Sequence, residues 1–239
     1  MNKKLTPCSI EHPVDNGITF VKSIKHLDIL MNNLPRFASI KVFAPREVSK
    51  DMGNLETKIL NVKDPRASFV EYLNATAKFE DYKTSSMGRH CTFHESAVIG
   101  ATSIYFHEKE DGTRVQAVHI GNVVIKDRVA IHANAVIHRA MLDSTIIEDD
   151  VVIGALANIG HNVHVGKKTT ITNGVHLGGS SRIGSNCWIG MCAVVLQGLK
   201  ICDNVLVGAG SLVTKDIIEP GKYYGSPAIR KGDWDGTWY

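Results

Sequence analysis

From Ile147 onward every sixth residue is aliphatic: Ile153, Ile159, Val165, Ile171, Leu177, Ile183, Ile189, Val195, Ile201, Val207 and Val213. Two positions earlier a smaller residue stands as a rule, as at Val151, Ala157, Val163, Thr169, Val175, Ser181, Cys187, Ala193, Val205 and Ser211, with Leu199 the large exception. Glycine often follows the aliphatic residue directly, as at Gly154, Gly160, Gly166, Gly178, Gly184, Gly190 and Gly208. A period of six is a multiple of the two-residue strand repeat, so the aliphatic residue and its smaller partner share one face. On a 3.6-residue helix every sixth position would wander around the axis. The pattern therefore predicts short strands, each followed by a corner at the glycine, where a missing Cβ relieves a sharp bend. One hexad buries nothing alone. Stacked coils bury a continuous aliphatic core and pair their strands in parallel about 4.8 Å apart. Residues 145–214 are accordingly expected to form a solenoid.

Upstream the same period is present but interrupted. Phe93 and Ile99 keep it, and it resumes at Ile120, Ile125, Ile131 and Ile137. The first break, residues 105–117, contains Glu108-Lys109-Glu110-Asp111-Gly112-Thr113, a polar turn with an Asp-Gly centre that reads as a loop or hairpin extruded from the solenoid. The second, His138 to Ser144, inserts four residues before Ile147. Long loops on a solenoid usually serve binding. From Ile18 to about Lys83 there is no six-residue repeat. The clusters Ile18-Thr19-Phe20-Val21, Ile40-Lys41-Val42-Phe43 and Ile59-Leu60-Asn61-Val62 predict short strands. Lys25–Leu34 and Ala67–Ala77 are expected to be helical, the second opening after Asp64-Pro65 as a capped helix with proline near its start. The expected organisation is a small N-terminal α/β domain over residues 1–87, a parallel β-helix over 88–218 with an extruded loop at 101–119, and a C-terminal cap or tail over 219–239.

Composition narrows the setting. A chain of 239 residues with 44% hydrophobic content holds one solenoid and one small domain. A net charge of +3 argues against a dedicated nucleic-acid surface, while 27 Lys and Arg leave room for a local phosphate-binding patch. Cys8, Cys91, Cys187, Cys192 and Cys202 are odd in number and lack C-x-x-C spacing, so neither a disulfide framework nor a zinc site is indicated and a cytoplasmic location is expected. No run is long enough to span a membrane, and the polar opening lacks the apolar core of a signal peptide.

The hexads resemble those of the hexapeptide-repeat acyltransferases. The resemblance implies a left-handed parallel β-helix with three hexads per coil, assembled as a homotrimer. Handedness comes from the resemblance alone, since the general rule for crossovers between parallel strands favours the right hand. The segment Asn158-Ile159-Gly160-His161-Asn162-Val163-His164-Val165-Gly166 is similar to the one that carries the family's catalytic histidine, which makes His161 the expected general base. A neutral imidazole accepts a proton at neutral pH, a contribution of typically about 10²–10⁴ in rate. One coil further on lies Gly179, whose backbone N–H in that family forms the oxyanion hole, worth roughly 3 kcal/mol. Asp143, one coil before His161, is the candidate to orient the ring if the four-residue insertion keeps the register.

A closer resemblance, to the UDP-3-O-acylglucosamine N-acyltransferase family of lipid A biosynthesis, runs through Ile18-Thr19-Phe20-Val21, Val62-Lys63-Asp64-Pro65-Arg66 and Arg139-Ala140-Met141-Leu142-Asp143. It implies an N-terminal domain that sandwiches uracil between two aromatic rings, here Phe20 and, in place of the family's tyrosine, His26. The chain departs from that family at Gly154 and Gly198, where an Asp and a second His are expected, and about four coils are absent before the extruded loop.

The ending, Val207 to Asp216 followed by Pro220-Gly221 and Gly225-Ser226-Pro227-Ala228, instead looks like that of hexapeptide acetyltransferases. It implies acetyl-CoA as co-substrate, with Gly178, Gln197, Ala209, Lys215, Pro227 and Arg230 as contacts. His132, His138 and Asn162 are expected to line the acceptor site, and His119, His164 and His176, each preceding an aliphatic residue, to face outward. The three zinc histidines of a γ-type carbonic anhydrase are not in evidence, so no metal is expected. The expected activity is acetyl transfer from acetyl-CoA to the amine of a UDP- or dTDP-linked amino sugar, with no permanently bound cofactor. The alternative is fatty-acyl transfer from acyl carrier protein.

Overall fold

The computed structural model describes residues 5–13, 17–33, 40–49, 58–77, 83–109 and 111–237. The chain divides into two compact units: Met1–Asp81 together with Ile104–Val118, and Tyr82–Ser103 together with His119–Tyr239.

The first unit is a four-stranded parallel sheet of Thr6–Pro7, Gly17–Phe20, Ile40–Ala44 and Lys58–Asn61, paired in chain order. Helices Ile24–Asn33, Arg46–Ser49 and Pro65–Thr76 accompany it. Three strands and two helices fall where the apolar clusters placed them; Leu34, the expected end of the first helix, lies outside the described residues. The helix Pro65–Thr76 starts as anticipated. Asp64 sits in an extended conformation and its Oδ1 accepts from the N–H groups of Arg66 and Ala67, both at 3.0 Å. These are donors that the first turn leaves without partners, and proline at the first position lacks an N–H to satisfy. The helix buries Phe69, Val70 and Leu73. The Asp-Gly turn closes an antiparallel hairpin of Phe106–Glu108 with Arg114–Gln116, Gly112 taking φ +80°. This hairpin belongs to the same compact unit as the sheet: Asn74 donates to the Gln116 carbonyl at 2.8 Å and accepts from the Val118 N–H at 3.0 Å.

The second unit is a left-handed parallel β-helix with three sheet faces. The first face stacks Ser86–Met87, Asn122–Ile125, Ser144–Ile147, His164–Val165, Arg182–Ile183 and Lys200–Ile201. The second stacks Thr92–Phe93, Ala130–Ile131, Val152–Ile153, Thr170–Ile171, Trp188–Ile189 and Val205–Val207, and is continued by Gly221–Tyr224 and the antiparallel Ile229–Gly232. The third stacks Val98–Ala101, Val136–His138, Asn158–Ile159, His176–Leu177, Val194–Val195 and Leu212–Val213. Register runs in steps of 18 from Ile147 to Val165, Ile183 and Ile201, and from Ile147 to Val213 the aliphatic residue of each hexad points inward and is buried. Between Ile125 and Ile147 the step is 22 residues, which places the insertion at the corner after Val136–His138. No helix among the described residues is long and apolar enough to cross a membrane.

The corners correct one expectation. The glycine that follows the aliphatic residue does not supply the strained conformation. Left-handed backbone occurs two residues later, at Leu156 (φ 60°), Asn162 (φ 60°), Lys168 (φ 57°), Asn186 (φ 54°) and their equivalents. Glycine is needed earlier because the coils press together there. A Cβ on Gly160 would lie 2.7 Å from the Gly179 backbone nitrogen, and one on Gly166 2.6 Å from the Gly184 carbonyl carbon. The requirement is therefore close backbone approach, with conformational freedom needed elsewhere.

Candidate functional site

The corner between the third and first faces carries His161, the expected general base. Ile159 and Val163 are anchored in the core, so the three residues between them must turn outside it. Gly160 is bound by its N–H to the Leu177 carbonyl at 2.9 Å, Asn162 by its N–H to Thr145 Oγ1 at 2.8 Å, and the His161 carbonyl accepts from the Ser180 N–H at 2.7 Å. The backbone around His161 is thus tied to the coils before and after it.

The ring of His161 is held in one tautomer. Asn162 Oδ1 accepts the Met141 N–H at 3.1 Å, which identifies that atom as the amide oxygen facing the ring. His161 Nδ1 lies 3.0 Å from the same oxygen and must therefore donate to it. That bond places a proton on Nδ1. Nε2 faces Gly179: a Cβ built there would lie 2.5 Å from Nε2 and 2.8 Å from Cδ2. Asn162, expected to line the acceptor site, has its amide oxygen bound to the Met141 N–H and to His161 Nδ1. Asp143 lies within the insertion, directly before the strand Ser144–Ile147, and its carbonyl accepts from the Asn122 N–H at 3.1 Å.

His119 was expected to face outward, but it is 1% exposed and its ring stands edge-on to His161, with centroids 5.7 Å apart and planes at 74°. The strand of that coil begins only at Asn122, so the hexad rule that turns the residue before the aliphatic position outward does not operate at His119 and Ile120. His164 is half-buried and faces Glu148 at 3.2 Å, while His176 is exposed.

The backbone donor beside His161 is also distinctive. At other corners the equivalent N–H is capped by a side chain one coil on: Ala155 by Asn173 Oδ1 at 2.9 Å, Ser185 by Asp203 Oδ1 at 2.7 Å, and Asp127 by Asp149 Oδ1 at 3.0 Å. One coil beyond Gly179 stands Gln197, which makes no such bond. The neighbouring amides are committed, Gly178 to the Val195 carbonyl at 2.8 Å and Ser180 to that of His161 at 2.7 Å. Among the described residues the Gly179 N–H has no acceptor, which leaves one open donor next to the oriented imidazole.

The other expected residues divide between two corners and the first unit. Gln197 and Lys215 continue the line of His161 and Gly179 at the same position of successive coils, and both are exposed. Gly178 packs above Gln197, where a Cβ would meet the Gln197 nitrogen at 2.5 Å. His138 lies on this corner one coil before Gly160, its Nδ1–H donating to the Thr102 carbonyl at 3.2 Å. His132 and Ala209 are not brought to it. They line a groove of about 640 Å³ at the corner between the second and third faces, with Gly154, Asn173, Trp188 and Tyr224. Pro227 is exposed in a cis peptide after Ser226, and the Arg230 guanidinium is engaged by Asp233 and the Pro220 carbonyl. Among the described residues no three His, Cys, Asp or Glu side chains converge as a metal-binding group would require.

In the first unit, Phe20 ends its strand half-buried, its ring 5.2 Å from that of Phe69. His26 lies on the following helix and accepts the Lys22 N–H at Nδ1 at 3.4 Å. Burial, then the charges of Lys22 and Lys25, hold His26 below its ordinary value. Sequence reasoning missed His119, Met141 and the orienting role of Asn162. The one signal for the last was an asparagine directly after the histidine at a corner position.

Residues 180–215 match the bacterial transferase hexapeptide model, and residues 144–179 the hexapeptide repeat of succinyl-transferase. The chain is 40% identical over 143 residues to UDP-3-O-acylglucosamine N-acyltransferase of Delftia acidovorans, a match covering 59% of this chain and 42% of that protein. It is 38% identical over 149 residues to the probable UDP-3-O-acylglucosamine N-acyltransferase 2, mitochondrial, of Arabidopsis thaliana, covering 62% and 49%. The chain thus spans less than half the length of these relatives. The UDP-N-acetylglucosamine O-acyltransferase structure from Moraxella catarrhalis shares the fold, with a TM-score of 0.53 at 24% identity over 61% of this chain and 55% of that one. Fold and repeats define a hexapeptide-repeat protein of the left-handed β-helix type. Within that class the chain is similar to UDP-3-O-acylglucosamine N-acyltransferases.

Proposed function

We propose that this protein is an N-acyltransferase that acylates the amine of a nucleotide-linked amino sugar from a thioester donor. The observation that carries the reading is the single-tautomer His161 with Nε2 facing Gly179, whose N–H is open. The amine attacks the thioester carbonyl while Nε2 takes its proton. The carbonyl oxygen, now an oxyanion, accepts from the Gly179 N–H. The tetrahedral centre collapses with cleavage of the carbon–sulfur bond, and the imidazolium returns the proton to the departing thiolate. General-base catalysis contributes about 10²–10⁴ in rate and an oxyanion donor roughly 3 kcal/mol.

Acetyl-CoA is the favoured donor. Gln197 and Lys215 stand exposed on the corner of His161 and Gly179, a line along which an extended pantetheine arm would run, with a cation at its far end for phosphate. The second reading, a fatty-acyl donor on acyl carrier protein, is favoured by the names of the relatives at 38–40% identity. Nucleotide linkage of the acceptor is supported by Phe20 and His26, which stand at the end of one strand and on the helix that follows it. The test is thiol release with acetyl-CoA and with acyl carrier protein thioesters, in wild type and His161→Ala. Turnover should fall by about 10²–10⁴ in the variant with the fold intact. Normal turnover in a folded His161→Ala protein would overturn the reading, and the preferred thioester decides the donor.

A further inference from the structure

Both interruptions of the hexad period end beside His161, within the second unit. The insertion at residues 138–144 brings the Met141 N–H to Asn162 Oδ1, the atom that also holds His161 Nδ1. The carbonyl of the same Met141 accepts from the N–H groups of Ile120, at 2.9 Å, and Gly121, at 3.2 Å, where the chain re-enters the solenoid after the hairpin. The two segments are pressed together: a Cβ on Gly121 would lie 2.6 Å from the Asp143 carbonyl oxygen and 2.7 Å from that of Ala140. Arg139 adds a further tie, its Nε donating to the Gly100 carbonyl at 3.0 Å and its Nη1 to the His119 carbonyl at 3.5 Å. The Ile120 carbonyl accepts from the Lys83 N–H at 2.7 Å. The backbone at His119 and Ile120 is thereby fixed, with the His119 ring set edge-on to that of His161.

Among the described residues His119 is the one Lys, Arg, His, Asp or Glu that is buried. Burying an imidazole costs free energy that an aliphatic residue at the same place would not, so filling the corner does not by itself account for it. Its position relative to His161 does. Asn162 holds the His161 imidazole at Nδ1 and Gly179 crowds it at Nε2, two contacts on the rim of the ring. Two rim contacts do not fix a plane, because a hydrogen bond tolerates tens of degrees of tilt and the ring can turn about the line that joins them. A second ring on a fixed backbone, with its centroid 5.7 Å away and its plane at 74°, limits that rotation whichever of the two presents its edge. Edge-to-face is also an arrangement that aromatic pairs prefer.

We propose that His119 is a positioning residue for His161, its ring setting the tilt of the imidazole while Asn162 sets its tautomer, so that the two interruptions of the repeat together hold Nε2 against Gly179. The consequence for turnover rests on the reading of His161 as the base; the contact itself is read independently of it. The test combines thiol-release kinetics with site-resolved carbethoxylation of His161 by diethyl pyrocarbonate, followed by peptide mass spectrometry. Both are made on the full chain of wild type, His119→Ala and His119→Phe, with circular dichroism confirming the fold. Alanine removes the neighbouring ring; phenylalanine keeps a ring and removes its nitrogens. His119→Ala should lower kcat about ten- to a hundredfold with KM within about twofold of wild type. His161 should be carbethoxylated several-fold faster in the same variant, and His119→Phe should return both quantities toward wild type. A folded His119→Ala protein with wild-type kcat and a wild-type modification rate overturns the proposal. So does a fall in kcat with no change at His161, or a phenylalanine variant that behaves as alanine does. If alanine does not fold, the phenylalanine variant decides: wild-type values support the ring contact, and a slower, more reactive protein overturns it. Modification rates ordered as expected in a protein that turns over no thioester keep the positioning role and sink the reading of His161 as the base.

Discussion

Nε2 of His161 lies so close to Gly179 that a single added carbon at that glycine would sit 2.5 Å from it. Imidazole and backbone donor therefore occupy one small volume, and a methyl group at residue 179 must push the ring aside. The obstruction is the end of a side chain, so the solenoid can accept it. Gly179→Ala is expected to lower kcat by at least about 10²-fold, the scale of losing a base or an oxyanion donor. The melting temperature should move only a few degrees. Unchanged kcat in the folded variant would separate the residue from the chemistry.

Asn162 joins the Met141 N–H to His161 Nδ1 through one oxygen, at 3.1 and 3.0 Å. Replacing it with leucine removes the acceptor that selects the tautomer and leaves the Met141 N–H unsatisfied. Asn162→Leu should reduce kcat about ten- to a hundredfold with KM little changed, while Asn162→Asp, which keeps an acceptor oxygen, should retain more of the rate. A wild-type kcat in the leucine variant would show that the ring is oriented by other groups.

Two glycines should respond oppositely. A Cβ on Gly160 meets backbone, the Gly179 nitrogen at 2.7 Å, so Gly160→Ala has to shift a coil and should cost about 2–3 kcal/mol. Gly198 has φ +76° with nothing within 4 Å of its would-be Cβ, and asparagine tolerates that backbone. Gly198→Asn should stay within about 1 kcal/mol of wild type by urea denaturation. Similar losses in both would mean that corner glycines matter only for conformational freedom.

Cys187 is buried in the core, and burial pushes its thiol up from the ordinary 9.0 to about 12. Above pH 9 the unfolded chain releases this proton while the folded one keeps it. Stability is therefore complete below pH 9 and declines toward pH 12, at about 1.4 kcal/mol per pH unit for this group. Urea denaturation between pH 8 and pH 10.5 should give a shallower decline for Cys187→Ala than for wild type. Parallel curves would place the thiol in contact with solvent.

The three strands and two helices of the first unit were legible because they are local: apolar clusters between polar breaks, and Asp64-Pro65 as a helix start. The alignment of His161 over Gly179 was legible because register is arithmetic once the coil is 18 residues. His119 was not, since it lies where the hexad period is broken and its burial follows from how residues 119–122 re-enter the coil.

By itself the sequence determined the coil. A six-residue period commensurate with the strand repeat decides which side chains face inward, and stacking by 18 then decides which residues become neighbours. Only the tertiary structure decided what those neighbours do. The four-residue insertion brings the Met141 N–H to Asn162 and so puts the His161 proton on Nδ1. Gln197, standing where other corners place an Asp or Asn cap, leaves the Gly179 N–H open. The glycines after the aliphatic positions are required by the coil above them. Each of these depends on the direction of a side chain or carbonyl across a gap between coils, and a one-dimensional period does not encode that direction.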